Sequence, residues 1–253
     1  MTRIILSGYS GNMGQTICKM CENHSSFEIV AGIARDERPT LFPSFAIPAE
    51  CDVPGDVIID FSNASAVEPL LKLALDSKTP IVVCTTGLSE KTYAALAGAS
   101  KEIAVFRSAN MSLGVNLMAQ LVIKATNVLH NAGFDIEIVE KHHNLKVDSP
   151  SGTALLLADA VNSQLGGRLT YTYDRSAAMR QRGRDELGIH SLRGGTIVGE
   201  HNVIFAGRDE VLEFKHIAQS KAIFAQGALK AAEFLKGQQP GLYNMTHVLD
   251  GII

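Results

Sequence analysis

A two-part α/β chain is predicted by three observations. Over the first 112 residues short apolar runs alternate with amphipathic ones, the pattern of a parallel sheet covered by helices on both faces. A glycine-rich loop follows the first apolar run. Beyond it the pattern changes: one long apolar stretch is followed by longer runs of alternating character, which predicts a second domain of α+β type.

Taken in order, strands are expected at 3–7, 27–34, 56–61, 80–84 and 103–106, with helices at 13–23, 66–76 and 89–97 between them. In the second part, 113–130 reads as a long helix. FDIEIVE at 134–140 reads as a half-exposed strand, and 151–165 as a helix. Strands at 168–173, 195–206 and 210–218 then suggest a sheet that is largely antiparallel. A last helix at 222–235 suits either domain.

Composition narrows the function classes. The 253 residues are 46% hydrophobic and 19% charged, which suits a folded globular protein. A net charge of −3 and the lack of a basic recognition helix leave no nucleic-acid footprint. The apolar run before Gly8 is too short for a signal-peptide core, and no stretch approaches a membrane span, so a cytoplasmic protein with no membrane partner is expected. Cys18 and Cys21 form a CxxC with no second pair beside it, and there is no HExxH, so no metal site is expected.

SGYSGNMG at 7–14 lies between the first strand and the first helix, with glycines at 8, 11 and 14. Glycines there allow a tight turn and let a pyrophosphate approach the backbone, and the N–H groups of the helix start then hold the anion. The spacing is GxxGxxG rather than GxGxxG, but its place before a βαβ pattern favours a Rossmann-like dinucleotide-binding domain. At the end of the second strand, Ala34 occupies the position of the usual ribose-binding acid, and Arg35 follows it. A guanidinium there suits a 2′-phosphate, so NADPH is the expected cofactor, with NADH as the alternative. The loops Cys84-Thr85-Thr86-Gly87 and Ser108-Ala109-Asn110-Met111 follow later strands on the same edge, where ligands of open parallel sheets bind.

The densest chemistry lies at 140–154, EKHHNLKVDSPSGTA. If the strand continues, His142 shares a face with Ile138 and Glu140, and His143 points the other way. Ser151, Gly152 and Thr153 open a helix, where free N–H groups favour a carboxylate. Lys146 can add positive charge or a proton, and a histidine transfers protons near neutral pH. The cluster suits an anionic substrate that gains a proton.

This run resembles the signature E-x-H-H-x-x-K-x-D-x-P-S-G-T-A of the 4-hydroxy-tetrahydrodipicolinate (dihydrodipicolinate) reductase family. GYSGNMG, DFSNASAV, TTGLS, ANMSLGVN and the segment from Ser191 to His201 are similar to its other motifs, in order over nearly the whole chain. The resemblance implies an NAD(P)H-dependent reductase of the diaminopimelate route to lysine. His142 and Lys146 would be the proton donors. His143, Lys146, Ser151, Gly152 and Thr153 would hold the substrate carboxylates. Gly8, Tyr9, Ser10, Gly11, Asn12, Met13, Arg35, Cys84, Thr85, Thr86, Ser108, Ala109, Asn110 and Met111 would hold the cofactor. It implies a cofactor domain of 1–112 with 226–253, a substrate-binding and tetramerisation domain of 113–225, and a homotetramer. Two positions depart from the family pattern: Ala34 replaces an acid, and Cys84 stands where glycine is common. The rival readings are another two-domain dehydrogenase of amino acids or semialdehydes, and a non-enzymatic nucleotide sensor. Every cysteine lies in the first part, against a semialdehyde enzyme with a cysteine nucleophile in the second.

Overall fold

The computed structural model describes residues 1–36, 38–176 and 179–251; of the expected domains, positions 37, 177–178 and 252–253 lie outside these. The chain divides into two compact units, 1–113 with 222–253, and 114–221.

The first unit is an α/β unit of the Rossmann-like type. Its strands are β1 (Thr2–Ser7), β2 (Phe27–Ile33), β3 (Ser44–Phe45), β4 (Val57–Asp60), β5 (Ile81–Val83), β6 (Ala104–Arg107) and, from the end of the chain, β12 (Gly241–Tyr243). They form one sheet in the order β12-β6-β5-β4-β1-β2-β3, with every pairing parallel. Side chains alternate across it, and both faces are apolar. Ile4, Leu6, Val57, Ile59 and Phe106 pack on one face against α1 (Asn12–Cys21), α6 (Ala222–Leu235) and α7 (Met245–Asp250). Ile5, Ile58, Ile81, Val83 and Val105 pack on the other against α2 (Ala64–Asp76) and α3 (Glu90–Ala99). This two-sided burial explains the unbroken apolar runs that the sequence shows.

The second unit carries α4 (Leu113–Leu129), whose first residue still belongs to the first unit. It also holds α5 (Gly152–Gln164) and the strands β7 (Asp135–His142), β8 (Thr170–Thr172), β9 (Glu186–Arg193), β10 (Gly199–Ala206) and β11 (Val211–Ala218). The sheet order is β11-β10-β7-β9-β8. Both helices cover one face, where Met118, Val122, Leu157 and Val161 meet Ile136, Ile138, Ile189, Val203 and Phe205.

Here the expectation of a largely antiparallel sheet is corrected. β10 pairs antiparallel with β7 and β11, but β9 pairs parallel with both β7 and β8. The chain leaves β7, runs through α5 and returns in the same direction, and such a crossover makes strands parallel. β9 itself was not predicted. Its sequence, ELGIHSLR, begins with a buried Glu186 and carries a glycine and a histidine, so it lacks a clean alternation. The strand expected at 195–206 begins at Gly199, because Gly195 turns the chain at φ +49°. The short β3, β12 and α7 were also unpredicted.

Candidate active site

In the first unit the glycine loop joins β1 to α1, and its three glycines differ in what they do. Gly8 has φ +78°, and a Cβ on it would lie 2.4 Å from the Phe61 carbonyl oxygen. A Cβ on Gly14 would lie 2.2 Å from the Gly8 oxygen, so this glycine lets α1 close against the loop. Gly11 caps α1 without any side-chain cap, and a Cβ there would meet only the Gly8 oxygen, at 3.4 Å. The helix start is therefore open at Gly11, with free N–H groups for an anion.

A cleft of ≈ 450 Å³ begins at this loop. Gly8, Ser10, Gly11, Ala34, Arg35 and Ser65 are among the residues lining it. Arg35 is exposed, with a guanidinium nitrogen 3.5 Å from Ser65 Oγ. The residues present fit a dinucleotide: open backbone for the pyrophosphate and a cation at the end of β2. A hollow of ≈ 490 Å³ elsewhere in the unit, lined by Cys18, Cys21, His24 and Phe42 among others, is slightly larger. It lacks convergent chemistry. Burial pushes both thiols up, Cys21 to about 11, and no grouping of three His, Cys, Asp or Glu able to hold a metal occurs among the described residues.

The other cofactor candidates divide. Thr85 and Cys84 follow β5 and are tied to Asp60 at the end of β4. Thr85 Oγ1 donates to Asp60 Oδ2 at 2.6 Å, and the Cys84 N–H donates to the Asp60 carbonyl at 2.9 Å. Asp60 also accepts the Ser62 N–H at 3.0 Å, so one buried carboxylate shapes two loops of the ligand edge. Sequence reading missed it, although an acid closing the apolar run VIID is a visible signal. Burial, and the Asp60 carboxylate after it, push the Cys84 thiol well up. Thr86 and Ala109 are exposed, as is Asn12, while Met13 is half-buried. The Ser108 hydroxyl donates to the Asn110 carbonyl at 2.8 Å, and Asn110 Oδ1 accepts the Ser112 N–H at 2.8 Å, so this loop is braced internally. Two of the candidate side chains are buried in the core. Tyr9 is fully buried against Phe42, and Met111 lies in the same core, which leaves only their backbones for a cofactor.

In the second unit β7 ends in the signature. Its burial alternates strictly, with Ile136, Ile138, Glu140 and His142 on the buried face. His142 is thus inside, and His143, on the opposite side, is half-buried. Glu140 is fully buried and gathers the site around it. Its Oε2 lies 2.6 Å from His142 Nδ1, and its Oε1 accepts the Ser151 N–H at 3.0 Å. Arg193, from β9, clamps both oxygens at 2.8 and 2.7 Å. Burial alone would raise this carboxyl, but the hydrogen bonds from Arg193, His142, Ser191 and Ser151 outweigh it and hold it at about 2.

Ser151 is the N-cap of α5. Its hydroxyl accepts the Ala154 N–H at 3.2 Å and also pairs with His201 Nε2 at 2.9 Å. His201 comes from β10. Its pKa is lowered to about 4 by burial first and by His142 next, so it stays neutral. The His142 and His201 rings meet edge to face, 5.2 Å apart. Gly152 is exposed at the first position of α5, with open space where a Cβ would be. Lys146 sits in the following loop and is paired with Asp148 at 2.7 Å.

The structure thus brings His142 and Ser151 together through Glu140, and keeps Lys146 on Asp148. Glu140, Arg193 and His201 are the residues sequence reading missed. A carboxylate on the apolar face of an alternating strand was the signal for Glu140, since buried charges are paired. Nothing local points from Glu140 to Arg193, 53 residues further on.

A glycine-loop Rossmann-like unit joined to a unit with a buried acid–base cluster defines an NAD(P)-dependent oxidoreductase. The family models for the N-terminus and the C-terminus of dihydrodipicolinate reductase match residues 2–111 and 114–249. The chain is 51% identical over 245 residues to the 4-hydroxy-tetrahydrodipicolinate reductase of Caldanaerobacter subterraneus subsp. tengcongensis, covering 97% of each. It is 46% identical to that of Clostridium botulinum over 250 residues, covering 98% of each. It belongs to the dihydrodipicolinate reductase family. In fold it is similar to the dipicolinate-bound dihydrodipicolinate reductase of Paenisporosarcina sp. TG-14, with a TM-score of 0.83 at 20% identity over 96% of this chain and 97% of that one.

Proposed function

We propose that the protein reduces 4-hydroxy-tetrahydrodipicolinate to tetrahydrodipicolinate with NADPH or NADH, in the diaminopimelate route to lysine. The observation that carries this reading is the buried His142 held by Glu140 beside the open start of α5, in a chain that keeps the whole family signature. That pairing of a proton donor with an anion site suits a dicarboxylate that takes up a hydride and a proton.

When bound, the nicotinamide supplies the hydride. The chain's own residues do the rest. The N–H groups of Gly152 and Thr153 at the start of α5 hold one substrate carboxylate. Lys146 exchanges its partner Asp148 for substrate, and His143 adds a further contact. His142 or Lys146 gives the proton as charge develops on the ring. In the first unit Gly8, Ser10, Gly11 and the backbone at Tyr9 and Asn12 receive the pyrophosphate, and Arg35 pairs with a 2′-phosphate. Met13, Cys84, Thr85, Thr86, Ser108, Ala109, Asn110 and the Met111 backbone border the rest of the cofactor.

The reading extends to assembly and place. Leu192, Val211 and Ile217 are exposed on strands of the second sheet, which supports a homotetramer formed through that sheet. No helix among the described residues is long and apolar enough to cross a membrane, consistent with work in the cytoplasm.

A coupled assay tests the activity. The substrate is generated in place from pyruvate and aspartate semialdehyde by the preceding synthase, and loss of NADPH or NADH absorbance is followed. Oxidation that depends on the synthase is expected. Its absence from folded protein that binds both cofactors would overturn the substrate assignment. Light scattering of the purified protein tests the tetramer.

A further inference from the structure

We propose that Glu140, held by Arg193, is a positioning residue that fixes the ring orientation and tautomer of His142. The inference rests on the reading of His142 as a proton donor. Each Glu140 oxygen has a defined set of partners. Oε2 takes His142 Nδ1 and one Arg193 nitrogen, while Oε1 takes the other Arg193 nitrogen and the Ser151 N–H. A carboxylate with this set accepts hydrogen bonds only, so the His142 proton on that side must sit on Nδ1. The exchangeable position is then Nε2. That atom faces Gly199, where a Cβ would come within 3.1 Å, so the glycine leaves room beside it. The same carboxylate ties β7 to the N-cap of α5. It therefore sets the distance between the proton donor and the helix start that receives the substrate carboxylate. Arg193 also donates to the Asp148 carbonyl at 2.7 Å, which fixes the position of the planar guanidinium against Glu140. The arrangement follows a general rule: an acid–base imidazole works from one nitrogen when a buried acid occupies the other.

Glu140→Gln keeps the shape and removes the charge that dictates the tautomer. The experiment compares four proteins: wild type, Glu140→Gln, His142→Gln and the double variant. Steady-state kinetics, dipicolinate binding and 15N NMR of the histidine rings are read for each, with thermal unfolding as the check on folding. Expected is a fall in kcat of at least ~10-fold for Glu140→Gln, with dipicolinate affinity changed by less than ~3-fold. The His142 15N shifts should move from an Nδ1-protonated ring in wild type to a mixture of tautomers. The double variant should have a kcat no lower than His142→Gln alone, because Glu140 acts on turnover through the ring. Full additivity, or an unchanged His142 tautomer in folded Glu140→Gln, would overturn the proposal. If His142→Gln itself keeps normal turnover, the proton-donor reading fails first. In that case the NMR comparison still decides whether Glu140 sets the tautomer. Should Glu140→Gln not fold, Arg193→Lys, which leaves the Glu140 charge but loses the two-pronged grip on it, is read instead for kcat against dipicolinate affinity, and an unchanged kcat in that folded variant would overturn the proposal.

Discussion

On the proposed reading, cofactor choice turns on Arg35. It stands exposed at the end of β2, next to Ala34, where an acid would repel a 2′-phosphate and bind a ribose hydroxyl. Arg35→Ala is expected to raise KM for NADPH about tenfold, the value of one exposed charge-assisted contact, and to leave KM for NADH nearly unchanged. Steady-state kinetics with both cofactors checks this, and an equal rise for both would show that the guanidinium does not meet the 2′ position. At the other site, His142→Gln or Lys146→Ala should each lower kcat by at least ~100-fold, the usual loss with an acid catalyst. Near-normal turnover in both would remove their roles. On the proposed reading Lys146 has a second duty, since its salt bridge to Asp148 would have to open for substrate. Its loss should therefore raise KM as well, whereas loss of His142 should act mainly on kcat.

The glycine loop allows a prediction at the level of the element, because its residues fail in different ways. Gly14→Ala would put a methyl 2.2 Å from the Gly8 oxygen and 2.5 Å from Tyr9 Cα, both backbone atoms that cannot step aside. The loop must move, so both thermal stability and NADPH affinity should fall. Gly11→Ala meets nothing closer than 3.4 Å and should fold normally, yet on the proposed reading its methyl would stand where the pyrophosphate approaches. It should weaken NADPH binding at least ~10-fold while Tm stays put. Calorimetric titration beside a melting curve separates the two, and normal NADPH affinity in Gly11→Ala would move the phosphate site elsewhere. The same loop shows what the sequence makes legible. Its position between β1 and α1, the two-sided apolar strands and the strict alternation of β7 could all be read, because each is a local pattern. β9 could not, since its alternation is broken by Glu186, Gly188 and His190. Nor could its parallel direction, which the crossover through α5 sets. The candidate site divides in the same way. His142, Ser151 and Gly152 lie within one continuous motif, whereas Glu140 takes its meaning from Arg193 and Ser151 from His201, contacts that exist only once the second sheet has formed.

For the molecule as a whole, those contacts set the response to acid. His201 has its pKa lowered to about 4, chiefly by burial, against an ordinary 6.5 that unfolding would restore. Below pH 6.5 the unfolded chain takes up a proton that the folded one refuses until pH falls through 4. The stability contributed by the neutral ring is therefore complete above 6.5 and is lost between 6.5 and 4, on the order of 3 kcal/mol at most. Glu140 adds a second stage. Held at about 2 against 4.5, it stabilises the fold fully above 4.5 and ceases to do so as pH falls toward 2. Tm should thus be level near neutrality and decline in two steps. His201→Gln keeps an acceptor for Ser151 but cannot be protonated, so it should shrink the upper step, to which His130 and His216, also lowered by burial, still contribute, and leave the lower one. Melting curves of wild type and variant from pH 8 to pH 3 make the comparison, with the wild type expected to lose more Tm than the variant between pH 6.5 and pH 4. Parallel curves over that interval would mean that His201 titrates alike in the folded and unfolded chains. The acid sensitivity would then belong to the carboxylates and to the other buried histidines, His130 and His216.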